Sequence, residues 1–254
     1  VFRTRRDAEL TRQIYARVPV LVNEATDENP WDVRFFTMFH MTNDSGLFRT
    51  REQLEAEGFT LHGNRFTRGK DTYLPLYEAK MFWHFDHRFG TYAGVTGRSD
   101  THIESLTPNQ YADPNHLISP WYWVNQKDVG SRLLDAPQWF LAFRDITNST
   151  NERTSIFSVI PWSAVGNNAP VLLFDHSETF YAGLLANLNS IPFDYAARRK
   201  VGGTHMNFFI VQQLPILPPS TYDQSCPWRA AVGGQPSAVT HAAFILPRVL
   251  ELTY

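Results

Sequence analysis

Cysteine is nearly absent from this 254-residue sequence: Cys226 stands alone, so no internal disulfide can close and no zinc knuckle can be built from thiolates. Charge is modest, at 19% of residues with a formal net charge of −2, and 43% of residues are hydrophobic, which excludes a disordered, self-repelling chain. No run approaches the roughly 18 apolar residues that a membrane helix needs. The opening VFRTRRDAELTRQ has no apolar stretch of the kind a secretory signal requires. Catalytic signatures are missing as well. There is no phosphate-binding P-loop, no GxGxxG after a strand, no GxSxG elbow and no HExxH. The Asn-Pro-Pro-Tyr/Phe motif with which amino-methyltransferases hold a flipped base is also absent. Its nearest string, Glu28-Asn29-Pro30-Trp31, lacks the second proline. These absences predict a soluble, cytoplasmic chain without a catalytic centre of its own.

Aromatic residues are plentiful (Phe 19, Tyr 10, Trp 7), enough to build a large core. The length suits one large domain or two small ones. Residues 7–17 have helical spacing at Leu10 and Ile14, and Thr50 with Gln53 forms the start of a capped helix. Residues 58–66 predict a hairpin around His62-Gly63-Asn64, and 72–92 read as aromatic extended segments turning near His84–His87. Residues 94–120 are rich in turn formers and read as a connector. This predicts a division into 1–93, an N-terminal α+β part, and 94–254. Beyond it come short strands at 121–124, 138–146, 153–161 and 170–174, then helices near 178–189 and 193–200. The expected class is α+β, a mixed sheet with helices. A start at Val1 rather than Met, and an end inside the β-prone Leu250-Glu251-Leu252-Thr253-Tyr254, suggest a segment of something longer.

Three constellations carry candidate chemistry. His84-Phe85-Asp86-His87, with His40, has ligand types suited to zinc or manganese. On a strand, however, His84 and Asp86 point opposite to His87, which favours a structural or phosphate-contacting role over a metal site. Asp71 with Glu78-Ala79-Lys80 has the order of a nuclease centre, two carboxylates for Mg²⁺ and a lysine to orient water; a surface ion pair has the same pattern. Arg198-Arg199-Lys200 leads through Gly202-Gly203 to Thr204, His205 and Asn207, cations beside the start of a following helix. That suits a phosphate backbone, and equally a helix end with solvated charges.

Longer strings add a resemblance. TYLPLYEAKMFWHFDHRFGTY (72–92), FRDITNSTNERTSIFSVIP (143–161) and LLANLNSIPFDYAARRKVGGTHMNFFIVQQLPILPP (184–219) resemble, in order, segments of the type IIG, N6-adenine class of restriction-modification DNA methyltransferases. TMFHMTNDSGLFRT (37–50) also falls in order. In that family this region follows the methyltransferase core, which holds S-adenosylmethionine. The resemblance therefore implies a target-recognition domain like a type I specificity subunit, taking part in phage defence. Its partners would be double-stranded DNA and the upstream core, and it would have no cofactor, metal or catalytic residue of its own. The implied DNA contacts are Arg198, Arg199, Lys200, Thr204, His205 and Asn207 for phosphates. Arg144, Asn148, Asn151 and Arg153 would read bases from a turn between strands, since Arg and Asn pair bidentately with guanine and adenine. Lys80, His84, His87 and Arg88 form a further patch, and 94–137 would vary with the target. Local charge agrees: Arg3, Arg5, Arg6, Arg12 and Arg17 outnumber Asp7 and Glu9. Likewise Arg65, Arg68, Lys70, Lys80, Arg88 and Arg98 outnumber Asp71, Glu78 and Asp86. Alternatives are the Mg²⁺-dependent nuclease of Asp71, Glu78 and Lys80, or a protein-interaction module of a phage-defence complex.

Overall fold

The computed structural model describes residues 2, 4–97, 103–133, 138–175, 177–228, 230–232, 235–237 and 239–253. Helix α1 (Arg5–Arg17) begins at Thr4, whose hydroxyl accepts from the Asp7 amide at 3.1 Å. Strands β1 (Arg34–Phe36) and β2 (Phe48–Arg49) follow. Helix α2 (Arg51–Ala56) has the capping box in both directions: Gln53 N donates to Thr50 Oγ1, and Thr50 N to Gln53 Oε1. β3 (Thr60–His62) and β4 (Arg65–Arg68) pair as the expected hairpin, with Gly63 at φ +62° in its turn. β5 (Asp71–Tyr77) continues the meander, but the extended reading of 72–92 holds only this far. From Glu78 the chain turns, Trp83 and Asp86 exchange backbone hydrogen bonds, and Phe85 sits at φ +67°.

After β6 (Gly90–Thr91) and β7 (Glu104–Ser105), the expected connector contains a helix, α3 (Pro108–Ala112). Thr107 and Gln110 form its capping box, and Pro108 presets its first turn. β8 (Trp123–Asn125), α4 (Gln126–Arg132), β9 (Trp139–Phe143), β10 (Phe157–Pro161), β11 (Ala164–Val165) and β12 (Val171–Leu173) come next. β10 begins later than the sequence suggests because Thr154 and Ser155 give their amides to a carboxylate, Asp194, instead of a strand partner. The remaining elements are α5 (Glu178–Leu188), α6 (Ile191–Lys200), α7 (Phe208–Gln212), β13 (Ala230–Val232), β14 (Gln235–Ser237) and α8 (His241–Thr253). The C-terminal stretch is thus helical, not extended. Ala242 and Val249, two turns apart, are its buried residues, and α8 packs on α5.

The chain is mixed α/β and divides into two compact units, 1–35 with 145–157 and 172–254, and 36–144 with 158–171. Residues 93 and 94 both fall within the second unit. That unit carries an antiparallel sheet in the order β2-β8-β5-β4-β3, made mixed by β11 pairing parallel to β5. Leu54, Phe59, Phe66 and Trp123 pack on one of its faces, and the Trp123 indole donates to the Asn64 carbonyl at 2.8 Å. In the first unit Trp31 is the hub. Phe174, Phe180 and Tyr222 meet its ring edge-on, and its indole donates to Leu217 O. Leu184, Leu185 and Leu188 of α5 are fully buried, as their spacing predicts. Among the described residues no helix is long and apolar enough to cross a membrane.

Gly183, inside α5, faces the buried Tyr222 ring: a Cβ there would lie 2.8 Å from a ring carbon. Alanine normally improves a helix interior by about 1 kcal/mol over glycine. Here Gly183→Ala instead lowers stability by about 1–3 kcal/mol, because the ring has no room to retreat. Urea unfolding checks this, and an unchanged or raised midpoint contradicts it.

Candidate nucleic-acid interface

Two sequence segments some fifty residues apart meet in the first unit, and a buried carboxylate joins them. Asp194 on α6 is 5% exposed. Its Oδ1 accepts from the amides of Thr154 and Ser155 at 2.7 and 2.8 Å, and its Oδ2 from Arg198 Nε at 2.7 Å. Arg198, one helical turn on, donates from its two terminal guanidinium nitrogens to the carbonyls of Ser149 and Glu152. The turn between β9 and β10 is thereby clamped to α6. Thr147 Oγ1 donates to Thr154 O at 2.8 Å, and Asn148 Oδ1 accepts from the amide and hydroxyl of Thr150.

The loop after α6 then docks on the same turn. Thr147 N donates to Thr204 O at 3.0 Å, Met206 N to Asp145 O at 2.8 Å, and Ile146 bridges His205 antiparallel. Asp145 Oδ2 lies 3.1 Å from His205 Nδ1, so the carboxylate fixes the ring while over half of the side chain stays in solvent. Asn151, Lys200, Thr204 and His205 are exposed here, with Arg153 half-buried. Ile146 and Phe209, both more than half exposed, lie among them. The sequence reading missed these two apolar residues and the Asp145–His205 pair; the pairing of distant backbones that creates them has no local signal.

Several expected contact residues have other work. Arg198 is held inside by Asp194, and Arg199 donates to Asp7 Oδ1 at 3.0 Å with its guanidinium 4.8 Å from the Tyr195 ring centre. Of the three successive cations, Lys200 is the exposed one, donating to Gln213 Oε1 at 2.6 Å. Asn207 occupies the N-cap position of α7, but its side chain makes no cap hydrogen bond. Asn148 spends its carbonyl oxygen within the turn.

The remaining candidates lie in the second unit. Arg144 does not belong to the clamped turn. Its guanidinium donates to Phe82 O and lies 4.5 Å from the Trp83 ring centre, and burial pushes its pKa down to about 10, so it remains a cation at neutral pH. Arg88 is 6% exposed and donates to the carbonyls of Tyr111 and Asp113. His84 and His87 are half-buried in the turn, while Lys80 is exposed. No group of three His, Cys, Asp or Glu side chains that could hold a metal occurs among the described residues. The nuclease geometry does not form. Asp71 opens the seven-residue β5 and Glu78 follows its end, on the order of 20 Å apart at strand rise, and Lys80 lies in a 3-10 turn rather than on a shared strand face. Asp71 is instead engaged by Lys127 at 2.8 Å, which holds its carboxyl below the usual range. Arg3, Arg98 and parts of 94–137 lie outside the described residues.

Asp194→Ala removes the acceptor for three donors at once, and should cost on the order of 3–5 kcal/mol, as when one partner of a buried ion pair is deleted. Denaturant unfolding reads this directly, and a loss below about 1 kcal/mol contradicts the clamp. The sequence matches no protein-family model and no curated protein, so the functional reading rests on its residues and their arrangement.

Proposed function

We propose that this chain reads duplex DNA as the target-recognition part of a site-specific adenine-N6 DNA methyltransferase, whose S-adenosylmethionine-dependent core lies on another segment. The carrying observation is that two of the strings bearing the family resemblance, 143–161 and 184–219, meet through the Asp194 clamp and the 145–147 to 204–206 backbone pairing. Together they present hydrogen-bond donors on one surface. Lys200, Thr204 and His205 serve as phosphate contacts that set register, and Asn151 with Arg153 reads base edges from the turn. Arg198 and Arg199 act as positioning residues inside the fold. The exposed Lys80 of the second unit is an additional backbone contact. The family's core supplies methyl transfer and flips the adenine.

Anisotropy titrations of a labelled duplex across a salt series test this assignment. Lys200→Ala weakens binding to all sequences alike and reduces the salt slope by about one. Arg153→Ala costs about 1–3 kcal/mol on the preferred sequence, with a smaller effect on others. Failure of the folded wild-type chain to bind at low salt overturns the proposal and favours a protein-interaction role.

A further inference from the structure

Helix α1 buries none of its residues completely, although it lies against α6. Polar contacts hold the seam. The Tyr195 hydroxyl and the Arg199 guanidinium both donate to Asp7 Oδ1 at 3.0 Å, and the Tyr15 hydroxyl donates to Gln213 O at 3.0 Å. Burial raises the Asp7 pKa, but hydrogen bonds from Tyr195 and Thr4 and the Arg199 charge outweigh it and hold the carboxyl below its usual range. Between these contacts the helices do not close. Alanines stand where larger side chains would fill the gap, Ala8 on one helix and Ala196 on the other, and a cleft of about 350 Å³ remains. Phe2, Ala8, Tyr15 and Ala196 line it with carbon, while Arg12, Arg199 and Lys200 supply positive charge.

The charges do not cancel. Asp7 offsets Arg199. Lys200 has a neutral partner in Gln213, and Arg12 is exposed. Surplus positive charge beside an apolar lining selects for an anion attached to carbon. The charge-assisted hydrogen bonds need an oxyanion, and the lining rewards an apolar body. The volume is at the small end of ligand clefts, about 300–1,000 Å³, enough for one or two rings. We propose that the cleft between α1 and α6 is a binding site for a small organic anion, a single phosphate, sulfonate or carboxylate on an aromatic or alkyl body. The cleft shares Lys200 with the proposed DNA surface, but its assignment does not rest on that reading.

Fluorescence titration of the full chain with 8-anilino-1-naphthalenesulfonate at neutral pH tests the site. One probe should bind per chain. The Arg12→Glu, Lys200→Glu double variant should bind at least about tenfold more weakly, and Ala8→Leu, which fills the cleft without changing charge, should also weaken binding. Lys70→Glu, which changes an exposed cation in the other unit, should stay within about twofold. Phenyl phosphate should displace the probe, whereas inorganic phosphate or phenol at equal concentration should not. Unfolding midpoints matching wild type establish that each variant is folded. The proposal is overturned if the folded wild type does not bind, if the double variant binds as wild type does, or if inorganic phosphate competes as well as phenyl phosphate.

Discussion

A single carboxylate, Asp194, decides where the first unit's exposed turn sits. It is nearly excluded from water and satisfied by two backbone amides and one arginine. An ionised group in that position is tolerable because both of its oxygens find donors, one of them charged. The same bonds take Thr154 and Ser155 out of strand pairing, which delays β10 and frees the preceding residues to form a turn. Arg198 then reaches across that turn to Ser149 and Glu152, and the loop after α6 has a fixed edge, 145–147, on which to dock. The candidate surface is a consequence of this arrangement.

Four of the five arginines expected to contact DNA work inward instead. Arg88 and Arg144 end on backbone carbonyls, Arg198 on carbonyls and a carboxylate, and Arg199 on a carboxylate, three of them beside aromatic rings. The guanidinium suits this use, offering five donors in a rigid fork, staying charged when partly buried and stacking on rings. A DNA reading built from arginine counts therefore overstates the charge available to phosphates. The surface that remains is mixed, with Lys200, Arg153, Asn151, Thr204 and His205 beside Ile146 and Phe209. That composition suits recognition by shape and hydrogen bonding more than by bulk charge, in keeping with a net charge of −2.

Where structure is dictated locally, the sequence shows it. The Thr50–Gln53 capping box, the Gly63 turn and the Leu184, Leu185, Leu188 face each need only neighbours within one or two turns. The same local chemistry at Thr107, Pro108 and Gln110 marks α3, hidden only by the polar composition around it. Other features depend on distant partners. Aromatic density at 78–92 reads as strand, yet those rings pack around Arg144. The β-prone Leu250–Tyr254 is carried into a helix as far as Thr253 by the packing of α8 on α5. Both halves of the candidate site were visible as strings. Their meeting was not, since nothing in the surrounding sequence distinguishes Asp194 from a surface acid of α6.

The most direct test of the central claim is recovery of bound duplexes from a fully randomised pool at low salt, followed by sequencing. The account predicts an enriched motif with the wild-type chain, lost in a folded Asn151→Ala, Arg153→Ala double variant that still retains DNA without preference. Retention by wild type with no enriched motif, or no retention at all from folded protein, would contradict it.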